Sequence, residues 1–228
     1  MSVLFDYPKK ATFGRVLPKT KIYEHARPST ALKELFVRQV DQIVWKYKLA
    51  PETINVAATK SVPEIQIFNI TLKSGELKED LLRCIDKAIP FPILFEIHYD
   101  GKCKVMSCYK RPSEADSTKW VVSDYFESSW MRDNSPRKSL PITLDLGALY
   151  EELLSPLMPY PAQGKEKLAD RVARLSLIRA QEKELAKTEA RLGKEKQFNR
   201  KVEINAEIRT MKEQLERVTG VAAGNKGK

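Results

Sequence analysis

The spacing of apolar and polar positions divides the 228-residue chain into two parts: a body where periods of two and of three to four interleave, and a C-terminal third with only the helical period. Residues 1–28 carry Pro8, Pro18 and Pro28 and alternate basic with apolar side chains, which predicts an extended strand or docking segment rather than a helix. Behind Ser29 or Thr30, either of which can cap a helix, Leu32, Leu35, Phe36, Gln39, Val40, Ile43, Val44 and Tyr47 recur at three- and four-residue spacing as far as Pro51. That pattern predicts one amphipathic helix over 29–49. β-type runs follow over 53–56 and 64–73, and Ser74-Gly75 ends the second. Leu77, Leu81, Leu82, Ile85 and Ala88 predict a helix over 77–89, closed by Pro90 and Pro92. The runs 93–99 and 102–110 flank the turn pair Asp100-Gly101 and read as a hairpin. One more strand is expected over 120–126 and a short helix over 146–154, ahead of Pro156, Pro159 and Pro161.

The expected fold class is therefore α+β. A compact mixed-sheet domain with two to three helices spans 1–158, a basic helical coiled-coil arm spans 159–219, and a disordered tail spans 220–228. In the arm, Leu168, Arg171, Leu175, Ile178, Glu182, Leu185, Glu189 and Leu192 step by three and four, and Ile204, Ile208, Met211, Leu215 and Val218 do so in another phase. The phase change over 193–202 means either a stutter in one long helix or a turn between two antiparallel helices. The hairpin is the expectation, because two apolar stripes can then bury each other within one chain.

Charge sharpens this division. Residues 161–228 hold 17 Lys or Arg against 10 Asp or Glu, so +7 of the net +10 lies in the arm. Within it, Arg191, Lys194, Lys196, Arg200 and Lys201 face only Glu195, at the proposed turn. A hairpin tip with that balance offers cations to nucleic-acid phosphates, although a coiled-coil exterior also carries charges that are simply solvated. A second group, Tyr109, Lys110, Arg111, Lys119 and Trp120, mixes aromatics with cations at the end of the central hairpin, as single-strand binders do. Its alternative reading is a set of strand ends with charges in water and rings in the core.

Other classes recede. No apolar run approaches the roughly 20 residues that span a bilayer, and the first eight residues lack a basic region followed by an apolar core, so a cytoplasmic protein without membrane attachment is expected. Cys84, Cys103 and Cys108 have no CxxC spacing and read as reduced core residues; His25 and His98 have no ligand partner three or four positions away. No cofactor is expected, since Gly75, Gly147 and Gly164 lack a phosphate-loop context and no dinucleotide fingerprint, nucleophile elbow or HExxH appears. A metal-dependent nuclease would need an acid two positions before the strand-end Lys73, and Thr71 stands there, with Asn69 the nearest polar alternative.

Residues 58–68 (ATKSVPEIQIF), 85–95 (IDKAIPFPILF) and 195–205 (EKQFNRKVEIN) resemble the bacterial and archaeal family catalogued as domain of unknown function 4391. The likeness extends through Tyr109-Lys110-Arg111-Pro112 and Lys119-Trp120-Val121-Val122 and covers nearly the whole chain. Members are typically small proteins encoded beside DNA methyltransferases and helicase-type subunits of systems that look like restriction-modification or phage defence. The resemblance implies a protein partner of that kind and brings no established catalytic residue. It also directs attention to Phe198, Asn199, Val202 and Asn205 as a partner-binding group, because a solvated coiled coil has no need of an aromatic and two amides in its break. The expected function is a non-enzymatic accessory subunit that binds a helicase or methyltransferase and nucleic acid. The alternative is a divergent nuclease built on Glu64, Asp86 and Lys73, and self-association through the arm is a further expectation.

Overall fold

The structure, a computed structural model, describes residues 3–116 and 119–220. The chain divides between Pro159 and Tyr160 into two compact units. The first contains strands β1 (Phe5–Asp6), β2 (Thr12–Val16), β3 (Val40–Leu49), β4 (Ile65–Leu72), β5 (Ile93–Tyr99), β6 (Lys102–Pro112), β7 (Trp120–Glu127), β8 (Met131–Arg132) and β9 (Lys138–Ser139). Its helices are α1 (Lys19–Ala26), α2 (Thr30–Gln39), α3 (Pro51–Ile54), α4 (Glu79–Ala88) and α5 (Leu146–Leu154). The second unit contains α6 (Leu168–Lys194) and α7 (Phe198–Thr219). The fold is α+β, with a helical pair at its C-terminal end.

A seven-stranded sheet runs in the order β2-β3-β4-β5-β6-β7, with β8 also on β6. Its neighbours are antiparallel except β4 and β5, which α4 connects as a crossover and which therefore run parallel. The hairpin turn between β5 and β6 places Asp100 at φ 49° and Gly101 at φ 67°, the left-handed pair that a two-residue hairpin needs.

The helix expected over 29–49 is two elements. Ser29 does cap α2, its hydroxyl accepting the Leu32 amide at 3.3 Å, but the helix stops at Gln39 and the chain continues as β3. Val40, Ile43, Val44, Trp45 and Tyr47 are β-branched or aromatic and pack well on a pleated surface. Register shifts at Val40/Gln42 and Trp45/Tyr47 displace the alternation, so a strand imitates helical spacing. Lysines close α2: Lys73 Nζ donates to Val37 O at 2.9 Å and Lys19 Nζ to Val40 O at 2.5 Å. Two smaller corrections follow. The extended segment expected over 1–28 contains α1, and the strand expected over 53–56 is replaced by α3, where Pro51 opens a helical turn and Thr53 Oγ1 accepts the Ala50 amide at 2.9 Å.

One face of the sheet buries Phe68, Ile70, Phe95 and Ile97 against Ile22, Phe36, Leu81, Leu82 and Ile85 of α1, α2 and α4. An aromatic ladder crosses it: ring centroids lie 4.0 Å apart for Phe13–Trp45, 6.0 Å for Trp45–Phe68, 6.3 Å for Phe68–Phe95 and 6.4 Å for Phe95–Tyr125. Arg15 covers the ring at one end, 4.7 Å from Phe13, and Arg83 the ring at the other, 5.4 Å from Tyr125. Glu96, in the opposite alternation phase from Phe95, points to the second face. There Arg137 grips it with two nitrogens at 2.9 and 2.7 Å and also donates to Phe5 O at 2.9 Å, tying β1 to the sheet.

In the second unit, Leu168, Leu175 and Ile178 of α6 and Ile204 and Ile208 of α7 are buried, on the stripes that the sequence spacing marks, and Val172 is buried beside them. Arg171 shares that stripe because its guanidinium returns to Tyr160 O, at 3.0 Å from Nε and 2.6 Å from Nη2. Contacts between the helices include Glu189–Lys212 at 2.9 Å and the ion pair Arg191–Glu207. No helix among the described residues is long and apolar enough to cross a membrane. The disordered tail expected over 220–228 lies outside the described residues beyond Gly220.

Candidate nucleic-acid interface

The break between α6 and α7 is three residues long, and its chemistry is set by Glu195. The Glu195 amide closes α6 by donating to Arg191 O at 3.1 Å and Leu192 O at 3.2 Å. Its carboxylate accepts the Lys196 amide at 2.7 Å and the Gln197 amide at 2.9 Å, and these bonds hold the carboxyl below its usual range. The one acid between Arg191 and Lys201 is therefore turned toward backbone.

Around it, Arg191, Lys194, Lys196, Arg200 and Lys201 are all exposed, but they are not equivalent. Arg191 pairs with Glu207. Arg200 shares a shallow concavity of about 280 Å³ with Glu195, Glu203 and Glu207, so surrounding acids offset its field. A second concavity, of about 440 Å³, is lined by Lys187, Ala190, Arg191, Lys194 and Glu195 and is predominantly basic. Among the described residues no carboxylate forms an ion pair with Lys194, Lys196 or Lys201. α7 begins without a side-chain cap from Gln197 and without an acid in its first turn, so Arg200 and Lys201 sit where the helix dipole disfavours cations.

Beside these cations Phe198 is 78% exposed and Val202 54% exposed. Phe198, Lys201, Val202 and Asn205 follow the i, i+3, i+4, i+7 spacing of one helix face, and all four are exposed, as is Asn199. The expected phosphate ligands and the expected partner-binding residues thus all lie in the break or within about two helical turns of it, and all are exposed.

In the second basic group Arg111, Lys119 and Trp120 stay together at the end of the β6–β7 hairpin, where Arg111 pairs with Val121 and Pro112 with Trp120, but Lys110 does not belong to it. Lys110 is a correction: its side chain is 0% exposed, donating to Asp86 O at 2.5 Å, to Asp86 Oδ1 at 3.2 Å and to Ile89 O, which leaves nothing for a phosphate. Arg111 pairs with Glu114 at 3.1 Å and Lys119 with Asp116 at 3.0 Å, while Tyr109 stacks on Tyr150 and Trp120 is partly covered. Lys110 shares the alternation phase of Met106 and Cys108, and Asp86 the apolar stripe of Leu82 and Ile85. Two opposite charges on two buried faces were the available signal.

The residues of the nuclease alternative lie apart. Glu64 and Lys73 flank opposite ends of β4, nine residues or about 30 Å of strand. Asp86 is 0% exposed and committed to Lys110 and Tyr125, with burial pushing its carboxyl up and Lys110 drawing it back. Asn69 Nδ2 lies 3.1 Å from His98 Nε2, whose Nδ1 lies 2.8 Å from Asp133 Oδ1, a polar chain that no sequence motif announced.

A family model described as "Domain of unknown function (DUF4391)" matches residues 5–215. The chain belongs to that family. The match takes in the sheet, the α6–α7 break and all but the end of α7, so both units are part of what DUF4391 denotes. No curated protein and no solved structure matches the chain.

Proposed function

We propose that this DUF4391 protein is a non-enzymatic accessory subunit of a cytoplasmic DNA-processing or phage-defence system. In this reading α6 and α7 form an antiparallel coiled-coil hairpin whose tip meets nucleic-acid phosphates, while the chain docks on a helicase or methyltransferase subunit. Contacts that climb one helix as they descend the other support the hairpin: Arg191 with Glu207, Glu189 with Lys212, and Arg174 with the Val218 carbonyl. The observation that carries the function is the set of exposed lysines at the break, Lys194, Lys196 and Lys201, none of which forms an ion pair with a carboxylate among the described residues, with Lys201 in the opening turn of α7, where the dipole disfavours a cation. Exposed cations without an ion-pair partner, one of them placed against the helix dipole, are accounted for by a ligand that needs them.

The test is fluorescence anisotropy with labelled oligonucleotides between about 50 and 200 mM salt. Three phosphate contacts give a slope of log K against log salt of about −2 on a single strand, and Lys194→Gln/Lys196→Gln/Lys201→Gln flattens it. Wild-type protein that shows no salt-sensitive binding, and no co-purification with a co-expressed helicase or methyltransferase subunit, removes the reading.

A further inference from the structure

We propose that the tip is a single-strand site, in which Phe198 stacks on an unpaired base while Lys194, Lys196 and Lys201 hold the neighbouring phosphates. The proposal rests on the phosphate-binding reading for its cations and goes beyond it by naming the substrate class.

Phe198 is the first residue of α7, so no preceding helical turn shields its ring, and it stands 78% exposed within two residues of Lys196 and three of Lys201. An aromatic face held in water among cations is the combination that binds single-stranded nucleic acid, because every base has a π-face and every nucleotide a phosphate. A duplex offers only base edges in its grooves. A ring on a convex helix start can therefore stack only where a base is already unstacked. Val202, one turn along the same face, extends the apolar platform, and Asn199 and Asn205 bring amides that can reach base edges or sugar hydroxyls. Charge complementarity favours this occupant over an apolar protein groove, since three exposed lysines within four residues of Phe198 along the chain form no ion pair with a carboxylate among the described residues.

The experiment compares full-length wild-type protein, Phe198→Ala and Phe198→Trp on labelled oligothymidylate and on a mixed-sequence duplex at several salt concentrations. Phe198 is exposed, so the alanine variant is expected to fold; helicity by circular dichroism checks this. Wild type is expected to prefer the single strand. Phe198→Ala is expected to lose about 5- to 150-fold on oligothymidylate, the increment for one stacked base, with an unchanged salt slope and no change on the duplex. Phe198→Trp is expected to restore affinity and show quenching of its added indole on binding. Unchanged single-strand affinity in Phe198→Ala, or an equal loss on the duplex, overturns the proposal. If the triple lysine variant abolishes binding while Phe198→Ala does not, the phosphate reading stands and the single-strand site falls. Loss of co-purification with a protein subunit in Phe198→Ala, with single-strand binding intact, assigns the ring to a protein interface and likewise overturns it.

Discussion

Lys110 and Lys196 carry the same ammonium group, and the two units treat it in opposite ways. In the first unit Lys110 lies out of contact with water, its charge met by the Asp86 carboxylate and its remaining donors by the carbonyls of Asp86 and Ile89. Tyr125 donates to the other Asp86 oxygen, so the buried pair is embedded in hydrogen bonds. Arg137 is likewise matched by Glu96 and a backbone carbonyl. In the second unit Lys194, Lys196 and Lys201 stand in water, and among the described residues none forms an ion pair with a carboxylate. Charge that folding consumes marks architecture. Charge that folding leaves unmatched is available to a ligand, and a count of lysines and arginines cannot separate the two.

The widest gap between the units should appear on removing a buried cation. Lys110→Met strands the Asp86 carboxylate and is expected to cost about 3–5 kcal/mol, lowering Tm by roughly 6–20 °C for a chain of this size. The penalty should depend on pH. Burial raises the folded-state pKa of Asp86 above its unfolded value, and Lys110 opposes that rise. Without Lys110 the folded chain holds the Asp86 proton more tightly than the unfolded chain, so the group's stability contribution is full at low pH and is lost as pH climbs through the folded value. Thermal melts at pH 5 and pH 8 should show the larger deficit at pH 8; an equal deficit at both would mean that Asp86 is not the stranded group. Lys110→Met/Asp86→Leu should recover most of the loss.

Arg137→Leu is the next largest. It leaves Glu96, 2% exposed, without its counter-charge and Phe5 O without a donor, a cost of about 3 kcal/mol. Hydrogen exchange should show β1 and β9 opening first, because Arg137 ties Phe5 to the sheet. Tyr150→Phe is smaller. The register shift between Cys108 and Lys110 interrupts the β6–β7 ladder, and the Tyr150 hydroxyl accepts the Lys110 amide at 3.0 Å and donates to Cys108 O. Losing it leaves the buried Lys110 amide without that acceptor and Cys108 O with only the long Ser107 hydroxyl bond at 3.5 Å, about 1–3 kcal/mol by chemical denaturation.

The same contrast shows what was legible in the sequence. Elements whose period survives intact were readable to within a residue or two: Ile93–Tyr99, Leu146–Leu154 and the stripes of α6 and α7. β3 was not, because two bulges convert its alternation into helical spacing, and only its β-branched and aromatic content argued for a strand. At the break between α6 and α7, the charge count located the cations and the family resemblance drew attention to Phe198, and both are exposed. Lys110 misled because its partner, Asp86, lies 24 residues away on another element. The Glu96–Arg137 pair escaped notice for the same reason, at a separation of 41 residues.

The smallest effect is also the most discriminating, because its sign should be reversed. Arg200 and Lys201 lie in the opening turns of α7, where the unsatisfied amides already carry positive partial charge, and Gln197 provides no side-chain cap. Replacing both with glutamate puts negative charge where the dipole welcomes it and should stabilise the second unit by about 0.3–1 kcal/mol. Glu203 and Glu207 share the Arg200 concavity, so new repulsion at Arg200→Glu offsets part of the gain and Lys201→Glu should carry more of it. The same Arg200→Glu/Lys201→Glu chain should lose nucleic-acid binding at about 100 mM salt. A variant that melts slightly higher and binds nothing would set these cations apart from Lys110, whose removal is expected to destabilise the body. A variant that melts lower would mean that the tip cations support the helical pair and would dissolve the comparison.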